Sequence, residues 1–291
     1  MINYSLATNW ENELIHKVSE LTKAYNDASV VEFFGSHQFS VVGTGRPSHR
    51  LQEVDDEIMR SHIELIHKHG FSFNYTLNGI INDFDAFLEN NEKDLINLLD
   101  KLTSLEVDRI TVSSEDLIKF ISANYKHFKI VVSLIAGIDT AKDAKRLEEY
   151  SVETITLNPH TINKDFDRLK QIREAVDCKL QLYANIPCLK ACPYCHDHYS
   201  LFSGQSREIS LNGRSQDKFL QWCSYEYIKN PENFLTSPYI RPDEIDYYHK
   251  QIGIDSFKLS DRSENTSFLT QTTLDYLRKS TDNLFRLVYR D

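Results

Sequence analysis

Along this chain, short runs of β-branched and apolar residues alternate with longer stretches in which apolar positions recur every three or four residues between charges. The short runs have the length and residue types of strands, and the longer ones have the period of amphipathic helices. Strands are expected over 30–34, 71–76, 109–113, 130–135, 154–158, 180–185, 256–259 and 283–288. Helices are expected over 51–69, 92–105, 115–127, 141–150 and 166–176, with an additional helix over 9–25 ahead of the first strand. About eight repeats of this alternation predict βα units winding a parallel sheet into an α/β TIM-like (β/α)8 barrel, a single domain over 1–291.

The regular pattern breaks once. From 188 to 239 the chain is polar and carries Gly204 and Gly213, and it reads as an insertion after the sixth strand. A connection that long in a compact domain is usually functional. No Pro/Gly/Ser-rich linker divides the chain, and no run is long and uncharged enough to span a bilayer. The first residues lack the basic region and apolar run of a secretory signal, so a cytoplasmic protein is expected. A formal charge of −10 opposes counterion-driven attraction to nucleic acid, which leaves RNA a disfavoured partner and a small molecule the favoured one.

The break contains the candidate chemistry. Cys188, Cys192 and Cys195 are spaced C-x3-C-x2-C, and Cys223 follows within the same stretch. Thiolates this close on a loop converge on a metal centre, and in a chain without a secretory signal metal ligation is favoured over disulfides. Four thiolates suit a [4Fe–4S] cluster. Zinc is the alternative, because the knuckle-like Cys192-Pro193-Tyr194-Cys195 has His196 and His198 beside it. The spacing also matches the three-cysteine signature of radical S-adenosylmethionine enzymes. Those enzymes resemble a partial barrel with the motif after the first strand, whereas about five βα units precede it here. Cys178 lies at the end of a helical pattern, away from this spacing.

In a parallel barrel the active site lies where the strands end, and polar residues there are the next candidates. They include Glu32, Asn74, Asn158, Asn185, Lys258 and Arg262. Charges facing a barrel mouth need partners or ligands, which singles out Glu32, Lys258 and Arg262. Asn158 before Pro159 also reads as a turn, and Ser114 before two acids as a helix cap. The segment 43–50 holds two glycines and the arginines Arg46 and Arg50, which suit a carboxylate or phosphate without following any phosphate-loop pattern. No H-E-x-x-H helix or Ser/His/Asp order marks a peptidase.

Several segments, in order over nearly the whole chain, together resemble the U32 peptidase-like, or collagenase-like peptidase, family. They are Val31-Glu32-Phe33-Phe34-Gly35-Ser36, Gly43-Thr44-Gly45-Arg46-Pro47, Phe73-Asn74-Tyr75-Thr76-Leu77-Asn78, Asn185 with Cys188, Cys192-Pro193-Tyr194, and the run from Gly253 to Arg262. The resemblance implies a TIM-like barrel whose mouth cysteines hold a [4Fe–4S] cluster in several relatives. It also implies oxygen-independent hydroxylation of ubiquinone precursors, transfer RNA or ribosomal RNA, with prephenate as an oxygen source, rather than the peptidase activity in the name. Cys195, His196 and Asp261 depart from the family's usual residues.

On this reading Cys188, Cys192, Cys195 and Cys223 hold the cluster, and Glu32, Asn185 and Lys258 orient the substrate. Arg46 and Arg262 pair with a carboxylate, and Asn74 and Asn158 complete the binding surface. A homologous partner subunit, around which the chain acts as an iron–sulfur scaffold, is the non-catalytic alternative.

Overall fold

The computed structural model describes residues 1–207 and 217–281. Eight strands are all parallel and close in chain order: β1 (Ile2–Ala7), β2 (Ala28–Gly35), β3 (Ser72–Leu77), β4 (Arg109–Val112), β5 (Lys129–Val132), β6 (Thr154–Thr156), β7 (Lys179–Tyr183) and β8 (Ser256–Leu259). The ring closes where β1 pairs with β8, Ser5 standing beside Lys258 and Leu6 beside Leu259. The TIM-barrel expectation holds.

Period-two alternation sorts each strand into two faces. Tyr4 and Leu6, Phe73 and Tyr75, Ile110 and Val112, Leu180 and Leu182, and Phe257 and Leu259 are buried in the core shared with the surrounding helices. The alternate set points into the barrel and is polar: Ser5, Glu32, Asn74, Thr111, Thr156, Gln181 and Lys258. A polar interior is stable only when its groups are hydrogen-bonded. Ser5 Oγ donates to Glu32 at 2.5 Å, Asn74 Nδ2 to Glu32 at 3.2 Å, and Thr111 Oγ1 to Asn74 at 2.8 Å. Across the barrel Thr156 donates to Gln181 at 3.0 Å, and Gln181 to Ser256 at 3.1 Å.

The outer ring starts with α1 (Asn12–Lys23), α2 (Asp56–Lys68), α3 (Phe84–Ser104), α4 (Glu115–Asn124) and α5 (Ala141–Glu148). It continues through the short α6 (Pro159–Ile162) and α7 (Phe166–Ala175). Leu14, Ile15 and Val18 of α1, Met59, Ile63 and Ile66 of α2, and Leu95, Leu99 and Leu102 of α3 bury one stripe each at helical spacing. The starts of α2 and α3 differ from expectation because side-chain caps set them. Asp55 accepts from the Ile58 amide at 2.8 Å and starts α2 later than 51, and Asp83 accepts from Ala86 at 3.0 Å and starts α3 earlier than 92.

The strand count needs one correction. β1 was not among the expected strands, because its inward Asn3 and Ser5 give it the mixed look of an irregular terminus. Helix α1 is therefore the first helix of the barrel rather than an extra one, and the cysteine stretch follows the seventh strand, not the sixth. The expected strand over 283–288 lies outside the described residues. The stretch from 188 to 239 is also less irregular than its composition suggested. It carries α8 (Cys195–Gln205), α9 (Lys218–Lys229) and the short α10 (Asn233–Thr236). A single turn, α11 (Ile245–Tyr247), precedes β8, and α12 (Thr266–Arg278) follows it. Among the described residues no helix is long and apolar enough to cross a membrane.

Candidate functional site

Two cavities meet at the carboxyl ends of the strands. The inner one, about 40 Å³, is floored by Lys258 and walled by Arg46, Arg262, Thr76, Ser133 and Tyr183. The outer one, about 170 Å³, is lined by all four of Cys188, Cys192, Cys195 and Cys223, with His160 and the aromatic side chains of Tyr194, Phe202, Phe219 and Trp222. Arg46 and Tyr199 belong to both walls, so an occupant of the outer cavity adjoins one of the inner.

The inner cavity collects positive charge. Arg262 is buried, and its guanidinium donates to three hydroxyls, those of Ser36, Thr76 and Thr44, the last at 2.7 Å. No carboxylate takes these bonds. Burial pulls its pKa down to about 10, and Arg46 pulls in the same direction. Arg46 is also desolvated, but Asp261 at 3.1 Å more than offsets this and holds its charge firmly. Arg46 further donates to the Tyr183 hydroxyl at 3.0 Å. Lys258 is 7 % exposed and lies 3.9 Å from the centre of the Phe34 ring. Burial pushes its amine down to about 8 against the opposing pull of Glu32. Among the described residues these three cations have one ion-paired carboxylate, Asp261, with Glu32 acting on Lys258 from farther off, and burial of such an excess is costly unless an anion joins it.

The outer cavity collects thiols. Burial lifts Cys188 and Cys195 to about 12 and Cys223 to about 11, and neighbouring cysteines add to each shift. Cys192 shifts upward too, again chiefly by burial. Thiols that raise one another's pKa share a low-dielectric space, and a metal that accepts them as thiolates relieves this repulsion. This donor set therefore fits a thiolate-bound metal group. Among the described residues no three His, Cys, Asp or Glu side chains are drawn together around a single ion. The fifth cysteine, Cys178, stands apart at the foot of β7, beside Glu148.

Helix α8 positions both cavities. Its first residue is Cys195, Tyr199 lies one turn on, and its far end clamps the loop that carries Arg46. The Thr44 amide donates to Ser206 Oγ at 2.7 Å, the Ser40 amide to the Ser206 carbonyl at 3.1 Å, and Arg207 Nε to the Val42 carbonyl at 2.8 Å. Gly43 turns this loop with φ of 76°, where a Cβ would meet the Ser203 carbonyl at 2.6 Å.

The structure thus brings together Arg46, Lys258, Arg262 and the four cysteines, and places the other candidates elsewhere. Glu32 is not at the mouth. It faces the barrel interior and lines a cavity at the opposite, amino-terminal end, with Arg109 at 3.5 Å. Asn74 is consumed by Glu32 and Thr111 inside the barrel. Asn158 caps α6 by accepting from the His160 amide at 3.2 Å, which is the turn-forming role its Pro neighbour suggested. Asn185 is bonded to the backbone of Ser260 and supports the site without lining either cavity. Tyr183 and Tyr199 were missed. Tyr183 follows Gln181 on the inward face of β7, a signal the alternation carried, whereas Tyr199 depends on a helix hidden in a polar stretch.

The family comparisons agree with this architecture. A protein described as an uncharacterized protease of Methanocaldococcus jannaschii is 28% identical over 276 residues, covering 94% of this chain and 80% of that one. The solved structure of the U32 peptidase Mk0906 superposes with a TM-score of 0.63 at 17% identity, covering 90% of this chain and 93% of that one, a likeness of fold. The sequence profile of peptidase family U32 matches residues 16–287, nearly the full length, and the chain belongs to that family.

Proposed function

We propose that the protein is an iron–sulfur enzyme that carries out an oxygen-independent modification, most simply a hydroxylation, on or with a small carboxylic acid. The observation that carries this reading is the shared wall: Arg46 and Tyr199 separate a chamber of four thiols from a chamber of buried cations. Cys188, Cys192, Cys195 and Cys223 would hold a [4Fe–4S] cluster, which when bound supplies one-electron chemistry. Zinc on the same four thiols is the alternative. Cys223 provides the fourth thiol that the radical S-adenosylmethionine pattern leaves out.

The chain's own groups bind and orient the acid. Arg262 and Arg46 attract its carboxylate, Lys258 contributes a third positive charge from the floor, and the aromatic lining of the outer chamber excludes water. The peptidase name of the relatives finds less support. The sequence carries neither an H-E-x-x-H helix nor a Ser/His/Asp order.

Anaerobic purification followed by iron, sulfide and zinc analysis and an electronic spectrum tests the reading. Four irons and four sulfides per chain are expected of one cluster. Stoichiometric zinc without iron, or cleavage of peptide substrates by the zinc form, would overturn it.

A further inference from the structure

The inner cavity contains a group that anion binding alone does not explain. Lys258 ends the inward row of β8, beside Ser5 on one side and Tyr183 on the other. Its amine has no hydrogen-bond or ion-pair acceptor among the described residues, and its near neighbour is the face of Phe34 at 3.9 Å. The Phe34 face favours the ammonium, but burial beside Arg262 and Arg46 outweighs it, so the amine gives up part of its charge and gains nucleophilicity. With its amine near 8, about a tenth is free base at neutral pH, far more than for an ordinary lysine.

We propose that Lys258 condenses with the carbonyl of a small 2-oxo acid whose carboxylate is held by Arg262 and Arg46. The inference rests on reading the inner cavity as an acid-binding site. In the step itself the free amine attacks the carbonyl carbon, a carbon–nitrogen double bond replaces the carbon–oxygen one, and the oxygen leaves as water. No oxidant or reductant is consumed. The geometry sets the ligand class. The arginines and the lysine line one cavity of about 40 Å³, room for about three waters, so carboxylate and carbonyl must be close neighbours in a short molecule. The resulting protonated imine keeps a positive charge where the lysine stood and draws electrons from the adjacent carbon, which a simple ion pair does not do.

Trapping on the wild-type protein tests this without relying on a variant that folds. The protein, purified anaerobically, is incubated with pyruvate and sodium cyanoborohydride, which transfers hydride to an imine and leaves a stable secondary amine. Intact mass and peptide mapping are then read. The expected result is a gain of one carboxyethyl group on Lys258, suppressed by excess lactate, which carries the acid but no carbonyl. Lys258→Arg should lose the adduct, while the wild-type protein shows a lactate-dependent thermal shift. If pyruvate and lactate both raise the melting temperature but no adduct forms on Lys258, imine formation is wrong and acid binding stands. If neither ligand binds, both fail. Adducts spread over surface lysines also overturn the proposal.

Discussion

Asn185 and Ser260 grip each other through two reciprocal hydrogen bonds: Asn185 Nδ2 donates to the Ser260 carbonyl at 2.6 Å, and the Ser260 amide donates to Asn185 Oδ1 at 2.8 Å. The pair ties the end of β7, where the cysteine loop departs, to the end of β8, where Asp261 and Arg262 follow. One side chain thus sets the offset between the thiol chamber and the cation chamber. Asn185→Ala leaves a buried amide and carbonyl unsatisfied, a loss of about 2–4 kcal/mol. The expected outcome is a lower melting temperature together with weaker acid binding. A variant with unchanged melting and unchanged binding would remove Asn185 from this supporting role.

Glu32 provides the second prediction, because it acts on the site from below. It sits on the same rung as Ser5 and Lys258, and its charge raises the lysine pKa against burial. Glu32→Gln keeps the shape and the Ser5 contact but removes the charge. The Lys258 amine should then titrate below about 8, since the one opposing pull is gone and Arg262 and Arg46 still push downward. Competitive labelling of Lys258 across pH reads this directly, and an unmoved midpoint would show that Glu32 is electrostatically remote.

How much of this was legible beforehand follows from what each signal depends on. The apolar faces of β3 and β8 and the stripes of α2 and α3 were visible because burial repeats with the period of the element. β1 was invisible for the complementary reason: a polar barrel interior gives its strand the alternation of Asn3 and Ser5 with Tyr4 and Leu6. The cysteine cluster was legible from spacing, and Arg46 and Arg262 from charge at loop positions. Glu32 and Asn74 were misplaced because the sequence does not say at which height of a strand a side chain enters the barrel. Helix α8 was obscured by its glycine and polar residues.

A buried histidine of helix α2 contributes to the acid limb of stability. His62 is buried, shares a 2.7 Å hydrogen bond with Thr8 Oγ1 and a 3.0 Å one with Asn12, and burial lowers its pKa to about 4. In the unfolded chain it binds a proton near 6.5. Above that pH both states are neutral and the full stability is present. As pH falls from 6.5 toward 4 the unfolded state alone gains the proton, and stability declines. His62 alone contributes a loss of about 2 kcal/mol between pH 7.5 and 5, and His160, buried and likewise lowered to about 4, adds a loss of similar size. Urea midpoints at the two pH values measure it, and His62→Gln should remove about half of the difference, the His160 share remaining, even though it lowers stability at neutral pH.

Two glycines separate packing from propensity. A Cβ on Gly79 would lie 2.0 Å from the Val42 carbonyl oxygen and 3.0 Å from the Gly43 carbonyl carbon, both backbone atoms of the loop that carries Arg46. Gly79→Ala must therefore displace that loop, at a cost of about 1–3 kcal/mol or more, and weaken acid binding with it. Gly204, inside α8, has nothing within 4 Å of its added Cβ. Gly204→Ala should stabilise by about 0.5–1 kcal/mol and leave binding unchanged. Thermal melts with and without lactate distinguish the two.

The cysteines themselves divide in the same way. Cys223 comes from α9, far along the chain from the other three, and reaches the chamber only because α9 folds back over the mouth, where Tyr227 donates to the Cys188 carbonyl at 2.9 Å. Cys178 belongs to a different environment, its amide donating to Glu148 at 2.7 Å. If all four chamber thiols serve one metal group, Cys223→Ala should lose most of the bound iron and sulfide during anaerobic purification, and Cys178→Ala should retain them. Tyr227→Phe removes the tie between α9 and the cysteine loop but no thiol, so it should keep full iron while hastening its loss to a chelator. Full iron in Cys223→Ala, with a new capacity to bind an external ligand at the metal, would instead mean that only Cys188, Cys192 and Cys195 hold it.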